Sequence, residues 1–211
     1  TIVIFAQKCG IMSHDPFVNH HFHLEYVDRG FLTDEEIQVI MKKEFPTQRL
    51  EQVRDVFIFS CFCGLAYIDV ANLKEDNIVE LDGKKWIMTK RQKTNIPSNI
   101  LLLDIPLKII DKYKGKTKGG KLLPILSNQK MNSYLKEIAD VCGIKKTLTY
   151  HVARHTFATM TLSKGVPIES VSKMLGHTNI KTTQIYARIT NKKIEEDMTK
   201  LAEKLESFKI I

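Results

Sequence analysis

The sequence predicts an α+β domain that is mainly α-helical, with one small antiparallel β-sheet or hairpin. Apolar residues recur at helical spacing over most of the chain, between recognisable capping and stopping residues. Only residues 77–103 carry the pattern of strands, grouped around the tight-turn pair Asp82-Gly83. No fixed-period repeat is present. With 211 residues, 43% hydrophobic and 27% charged, the chain has the balance of a globular protein that buries one sizeable core, and it is too short for a large multidomain machine.

The elements follow in order. Thr33-Asp34-Glu35-Glu36 is a capping box that opens a helix carrying Ile37, Ile40 and Met41, closed by Pro46. A second helix runs from Gln48 through Val53, Val56, Phe57 and Phe59 into Cys61-Phe62-Cys63, apolar enough to be the central buried helix, and Gly64 ends it. Tyr67-Ile68-Asp69-Val70 begins a short helix. Asn77–Leu81 and Lys84–Lys90 read as strands and Ile100–Leu103 as a third. Between the last two, Lys90-Arg91-Gln92-Lys93-Thr94-Asn95 reads as a basic hairpin tip, and strand geometry puts Arg91 and Lys93 on one face.

From Pro106 the pattern is helical again, interrupted by a flexible basic loop that includes Lys114, Lys116 and Lys118. Asn132–Cys142 is an amphipathic helix stopped by Gly143, and Tyr150–Ser163 another, ended by Gly165. Pro167 suits the first turn of a short helix with Val171, Met174 and Leu175, and a helix from Ile180 to Ala187 carries Tyr186. Asn191 caps a last helix in which Ile194, Met198, Leu201, Leu205 and Phe208 form a narrow apolar seam suited to packing on a partner.

Residues 1–26 read as a turn and an extended linker, and residues 27–211 as the domain proper. The histidines of the linker, His14, His20, His21 and His23, lack the Cys, Asp or Glu partners of a metal site and read as solvated. Because the chain opens with Thr1 rather than Met, it reads as a fragment or processed product, and Thr1-Ile2-Val3 is not the start of a signal peptide. The longest apolar stretch, Val56–Ile68, is shorter than the ~20 residues of a membrane span. Cys9, Cys61, Cys63 and Cys142 form no CxxC motif, which points to a reducing compartment. Lys and Arg number 32 against 24 Asp and Glu, a net charge of +8 that makes a polyanion a candidate partner without deciding the matter.

Chemistry concentrates near the C-terminus. In His151-Val152-Ala153-Arg154-His155 the helical spacing makes His151, Arg154 and His155 neighbours on one face. Leu175-Gly176-His177 follows, and Tyr186 comes nine residues later. Taken singly, His177 and Tyr186 would be ordinary residues and His155 a structural hydrogen-bonding histidine. Together, the string from Tyr150 to Ile189 resembles the C-terminal signature of the tyrosine recombinase (phage integrase) family, and the likeness extends back through Phe31-Leu32-Thr33 to cover residues 27–211.

The resemblance implies the fold of that family's catalytic domain and site-specific DNA recombination. Tyr186 would attack DNA, Arg154 and His177 would hold the phosphate, His151 would assist proton transfer and Lys93, by its place in the hairpin, would protonate the leaving oxygen. These residue types suit the chemistry. An attacked phosphodiester gathers negative charge on its non-bridging oxygens, which an Arg fork and His donors stabilise, and a tyrosine of ordinary pKa near 10 must lose its proton as it attacks. A 3′-phosphotyrosine link conserves the bond energy, so neither a cofactor nor a metal is expected.

One departure stands out. The family commonly carries Gly-Leu-Arg-x-x-Glu, whereas this chain reads Gly64-Leu65-Ala66-Tyr67-Ile68-Asp69, with Ala66 in place of the first catalytic arginine. Arg91, on the face shared with Lys93, is the candidate substitute. The variant segment resembles integrases of mobile elements from Bacteroides-type bacteria, so DNA integration and excision in a bacterial cytoplasm are expected. A chromosome-dimer resolvase, a DNA invertase and a catalytically impaired DNA-binding relative are the alternatives, with a metal-dependent nuclease further off. The resemblance also implies double-stranded DNA as partner, a homo-tetramer on DNA that exchanges the segment 191–211 between protomers, accessory DNA-bending proteins, and no membrane. Lys90, Lys114, Lys116 and Lys118 are candidates for the DNA backbone, and residues 1–26 for the remnant of a preceding DNA-binding domain.

Overall fold

A computed structural model of the chain describes residues 2–20, 30–117, 119–187 and 191–205. Its elements are α1 (Ile2–Lys8), α2 (Asp34–Lys42), α3 (Gln48–Cys63), α4 (Tyr67–Asn72), β1 (Ile78–Leu81), β2 (Lys84–Lys90), β3 (Pro97–Leu101), α5 (Asp104–Tyr113), α6 (Asn128–Val141), α7 (Tyr150–Ser163), α8 (Ile168–Met174), α9 (Lys181–Gln184) and α10 (Asn191–Leu205). The architecture is mainly helical with one three-stranded antiparallel sheet, in the order β1-β2-β3. Within the stretch read as linker, residues 2–8 form α1; His21, His23 and the expected boundary at residue 27 lie outside the described residues.

The capping box at the start of α2 forms as expected, with the Glu36 amide donating to Thr33 Oγ1 at 3.3 Å and the Thr33 amide to Glu36 Oε2 at 2.8 Å. Helix α3 is the centre of the core. Val53, Val56, Phe57, Ile58, Phe59, Cys61 and Cys63 are all buried, so the helix is covered on nearly every side, by α2, α5, α6 and α7. The burial of Cys61 and Cys63 pushes both thiols well above their ordinary pKa, which makes them packing groups rather than nucleophiles.

One buried charge interrupts this core. Asp55 accepts hydrogen bonds from Arg54 Nε at 2.8 Å, Lys112 Nζ at 2.6 Å and the Tyr113 hydroxyl at 2.8 Å, which ties α3 to α5. Burial and the Asp55 carboxylate together hold the Tyr113 phenol protonated.

The β1–β2 turn has positive φ at both central residues, Asp82 at 50° and Gly83 at 70°, as a two-residue turn with the right-handed strand twist requires. Ile87 pairs with Ile78 on one side and Ile100 on the other, and Ile87 and Ile100 face the core. The third strand starts earlier than its apolar run implies. It is Pro97–Leu101, because the buried positions alternate as Ser98 and Ile100, and Pro97 needs no amide partner at the start of an edge strand.

Two other local expectations change. Residues 91–96 are a turn, not a continuation of the strands, closed by the Arg91 amide on Ile96 O and the Asn95 amide on Arg91 O, with Asn95 at φ 55°. The helix before Tyr186 is also only four residues long, Lys181–Gln184. Tyr186 follows it in a turn whose amide donates to Thr183 O at 3.0 Å, and its ring packs into a small second core with Phe157, Ala158, Val171 and Leu175. In α10, Met198, Leu201 and Leu205 are exposed, while Phe208 and the Ile194 side chain lie outside the described residues.

Candidate active site

Helix α7 is the platform. Its first residue, Tyr150, is buried, its hydroxyl bonded to that of Ser60 and its amide to Asn132 Oδ1 at 2.7 Å, so the helix start is fixed to both α3 and α6. One turn later Arg154 points inward and is 3% exposed. Its Nη1 donates to the carbonyl of Gly64 at 2.6 Å and its Nη2 to that of Leu175 at 2.5 Å, which leaves the guanidinium rigidly aimed. The Gly64 carbonyl is available because Gly64 ends α3 in the left-handed conformation, at φ 66°.

His177 lies against the same guanidinium, with Nε2 at 3.0 Å from Arg154 Nη2. Arginine offers only donors, so Nε2 accepts and the imidazole proton sits on Nδ1, which donates to Thr183 Oγ1 at 2.8 Å. Burial, followed by the charges of Arg154 and Arg91, pushes the His177 pKa down to about 4, so the ring is neutral at pH 7. Arg154 is itself lowered to about 10, chiefly by burial and then by the Arg91 charge, while Tyr186 and Asp69 oppose the shift; it remains a cation.

Arg91 belongs to this cluster, although not by the route expected. Since residues 91–96 form a turn, Arg91 and Lys93 share no strand face. Instead the turn is clamped in place on two sides. The Gln92 amide donates to buried Asp69 Oδ1 at 2.9 Å, and Asn72 Nδ2 donates to Gln92 Oε1 at 2.9 Å. On the other side Thr94 Oγ1 donates to Gly176 O at 3.1 Å and Ser98 Oγ to Met174 O at 2.5 Å. Held this way, the Arg91 side chain packs on Gly176, with Nη1 3.5 Å from its carbonyl and a buried Nε that has no hydrogen-bond partner. Gly176 is at φ 61°, and a Cβ there would stand 3.3 Å from that of Arg91. Lys93 is exposed on the same turn.

Aromatic rings connect the remaining residues. The His155 ring stands edge-on to His151 at 4.6 Å and to Tyr186 at 5.0 Å, so it bridges the expected proton-transfer residue and the expected nucleophile. Tyr186 is buried at 8% exposure and His151 is exposed. Ala66 lies at the start of α4 and lines an open pocket of about 360 Å³ together with Tyr67, Asn128, His151 and Arg154.

The structure thus brings together Arg154, His177, Arg91, His151 and Tyr186. Lys90, Lys114 and Lys116 are exposed and Lys118 lies outside the described residues; Lys112, at the end of α5, pairs with Glu51 and Asp55. Sequence reasoning missed Thr183, and it did not foresee that Asp69 anchors the Arg91 turn. The only signal for Thr183 was a hydroxyl residue one helical turn before Tyr186. Among the described residues no cluster of three or more His, Cys, Asp or Glu is placed to hold a metal, and no helix is long and apolar enough to cross a membrane.

Comparison with known proteins identifies relatives of the chain and of its fold. The chain is 30% identical over 177 residues to a tyrosine recombinase of Pseudothermotoga lettingae, covering 81% of this chain and 60% of that protein. Its fold matches the crystal structure of a lambda integrase dimer bound to a COC′ core site with a TM-score of 0.70, at 18% identity, over 89% of this chain and 71% of that one. It also matches the Tn1549 transposon integrase in complex with circular intermediate DNA, with a TM-score of 0.69 at 14% identity, over 92% and 74% of the two chains. The chain spans less than two thirds of the length of the curated relatives it matches, 60% in the case of the Pseudothermotoga lettingae protein. With the Phage integrase family matching residues 31–193, which hold the arginine, histidine and tyrosine positions described above, the chain belongs to that family.

Proposed function

We propose that the chain is the catalytic part of a tyrosine recombinase that performs site-specific recombination on double-stranded DNA, without metal or cofactor. The observation that carries this reading is the pair of guanidiniums, Arg154 and Arg91, gathered with His177 beside the buried Tyr186, with neither arginine in a salt bridge among the described residues. Two like charges so close, one of them with a buried Nε–H lacking an acceptor, suit an anion with several acceptor oxygens. A phosphodiester is such an anion.

In this reading the Tyr186 hydroxyl oxygen attacks the phosphorus of a scissile phosphate and the bond to the 5′-oxygen breaks, leaving a 3′-phosphotyrosine. The phenol proton passes to His151, directly or along the His155 contact, and Lys93 protonates the departing 5′-oxygen. Arg154 stabilises the charge that develops on the non-bridging oxygens, and Arg91 supplies the second guanidinium that Ala66 removes. Attack by the 5′-hydroxyl of a second strand reverses these steps and frees Tyr186. A neutral His177 contributes by orienting Arg154.

The Ala66-Tyr67-Ile68-Asp69 pattern favours an integrase of a mobile element, of the Bacteroides-type class, over a resolvase or invertase. Such an enzyme would assemble as a tetramer on two duplexes in the bacterial cytoplasm, with the exposed Met198, Leu201 and Leu205 of α10 docked on a neighbouring protomer, and with DNA-bending proteins as helpers. Lys90, Lys114, Lys116 and Lys118 would contact the flanking backbone.

The test is covalent trapping on a pool of nicked duplexes of randomised sequence, in which cleavage releases a short strand and blocks rejoining. The expected result is a denaturant-resistant protein–DNA adduct that survives EDTA and is absent for Tyr186→Phe. An adduct unaffected by Tyr186→Phe would refute the enzyme, and salt-sensitive binding without any adduct would support the impaired DNA-binding relative that Ala66 also allows.

A further inference from the structure

We propose that Thr183 is a positioning residue of this reaction, which holds the His177 imidazole in its Nδ1–H form and ties it to the turn that presents Tyr186. The proposal rests on the recombinase reading above. Thr183 is fully buried on α9, with its hydroxyl oxygen 2.8 Å from His177 Nδ1. The opposite nitrogen of the ring faces Arg154 Nη2 at 3.0 Å. Only one protonation pattern satisfies both contacts, because the guanidinium can only donate and the hydroxyl can accept. If the proton moved to Nε2, two donors would face each other across the centre of the phosphate-binding cluster.

The backbone of the same residue reaches the nucleophile. The Tyr186 amide donates to Thr183 O at 3.0 Å, and the Thr183 amide donates to Ile180 O at 2.8 Å. Helix α9 is only four residues long, so it has few internal bonds with which to fix its own orientation. The Thr183–His177 bond therefore connects the segment bearing Tyr186 to the Arg154 cluster by a short polar path: Tyr186 turn, Thr183, His177, Arg154. Packing alone does not explain a hydroxyl here. Valine fills the same volume, and a buried hydroxyl is costly unless it is hydrogen-bonded.

The experiment uses the full 211-residue chain and the variants Thr183→Val and Thr183→Ser. The tautomer of His177 is read without DNA by ¹⁵N NMR of labelled imidazole, with the signal assigned through His177→Gln. Adduct formation is then timed on the randomised nicked-duplex pool, at a temperature where thermal unfolding shows all variants folded. The parent is expected to carry its proton on Nδ1. Thr183→Val is expected to mix the two tautomers and slow the adduct by about 10- to 100-fold, by analogy with the loss of hydrogen-bond partners that fix the tautomer of metal-bound histidines. Thr183→Ser, which keeps the hydroxyl, is expected to restore both readouts.

An Nε2–H parent, an unchanged His177 spectrum in folded Thr183→Val, or a parental rate in that variant would each overturn the proposal. Equal loss in Thr183→Ser and Thr183→Val would do so too, by assigning the effect to lost packing. If the parent itself forms no adduct, the recombinase reading fails, and the NMR spectra still decide whether Thr183 sets the His177 tautomer.

Discussion

Replacing Gly64 by alanine tests how the end of the central helix supports the site. Gly64 is in the left-handed conformation at φ 66° and ψ 8°, with its amide bonded to Ser60 O at 2.8 Å, so the chain cannot relax there without losing the α3 cap. An alanine pays about 1–2 kcal/mol to adopt that backbone. Its Cβ would also stand 2.3 Å from Phe157 Cδ1 and 2.8 Å from Cε1, well inside contact distance of a ring that is itself buried. Overpacking of that kind costs about 1–3 kcal/mol, giving about 2–5 kcal/mol in total. Urea unfolding at unchanged m-value, followed by the fluorescence of the single tryptophan, Trp86, measures the loss. Phe157→Leu in the same chain relieves the ring contact and should recover only the packing share. A loss below about 1 kcal/mol for Gly64→Ala would refute the reasoning, since the backbone share alone reaches that value. Adduct formation should fall further than the folded fraction, because the Gly64 carbonyl holds Arg154 Nη1 at 2.6 Å and Phe157 borders Tyr186.

Two other outcomes follow from the cluster. Arg91→Ala should slow adduct formation by about 10²–10³-fold, the usual effect of removing one preorganised donor, and Arg91→Lys should recover it only in part, since an ammonium lacks the planar fork; a parental rate in Arg91→Ala would end its assignment as the substitute for the arginine missing at Ala66. His177 predicts the pH dependence of stability. Its pKa is about 4 when folded against 6.5 ordinarily, so between those values the unfolded chain binds a proton that the folded chain excludes. This contribution is intact above pH 6.5 and is lost as the pH falls towards 4, where it levels off. The decline over that window should be shallower in His177→Gln; equal slopes in the two proteins would show that the ring is not held neutral.

Most of the secondary structure was legible because its signals are local. The capping box at Thr33, the stop at Gly64 and the Asp82-Gly83 turn each act within a few residues, and each forms where the residues imply. The misread places are those where a distant partner decides. Strand periodicity does not reach residues 91–96, because Asp69 and the backbone of Gly176 hold that segment in a turn. The helix before Tyr186 stops early as the Tyr186 ring enters a pocket made by α7 and α8.

The sequence by itself determined the helical and strand periods, the family signature, and the identity of the groups available for chemistry, Arg154, His151, His177 and Tyr186 among them. It also showed, at Ala66, that one expected cation is missing. Only the tertiary structure decided how these groups meet. Arg91 joins Arg154 through contacts between residues more than eighty positions apart, and the same burial that gathers two guanidiniums makes His177 neutral and leaves its proton facing Thr183. Charge, tautomer and aim are properties of surroundings, and those surroundings come from segments that are distant in the chain.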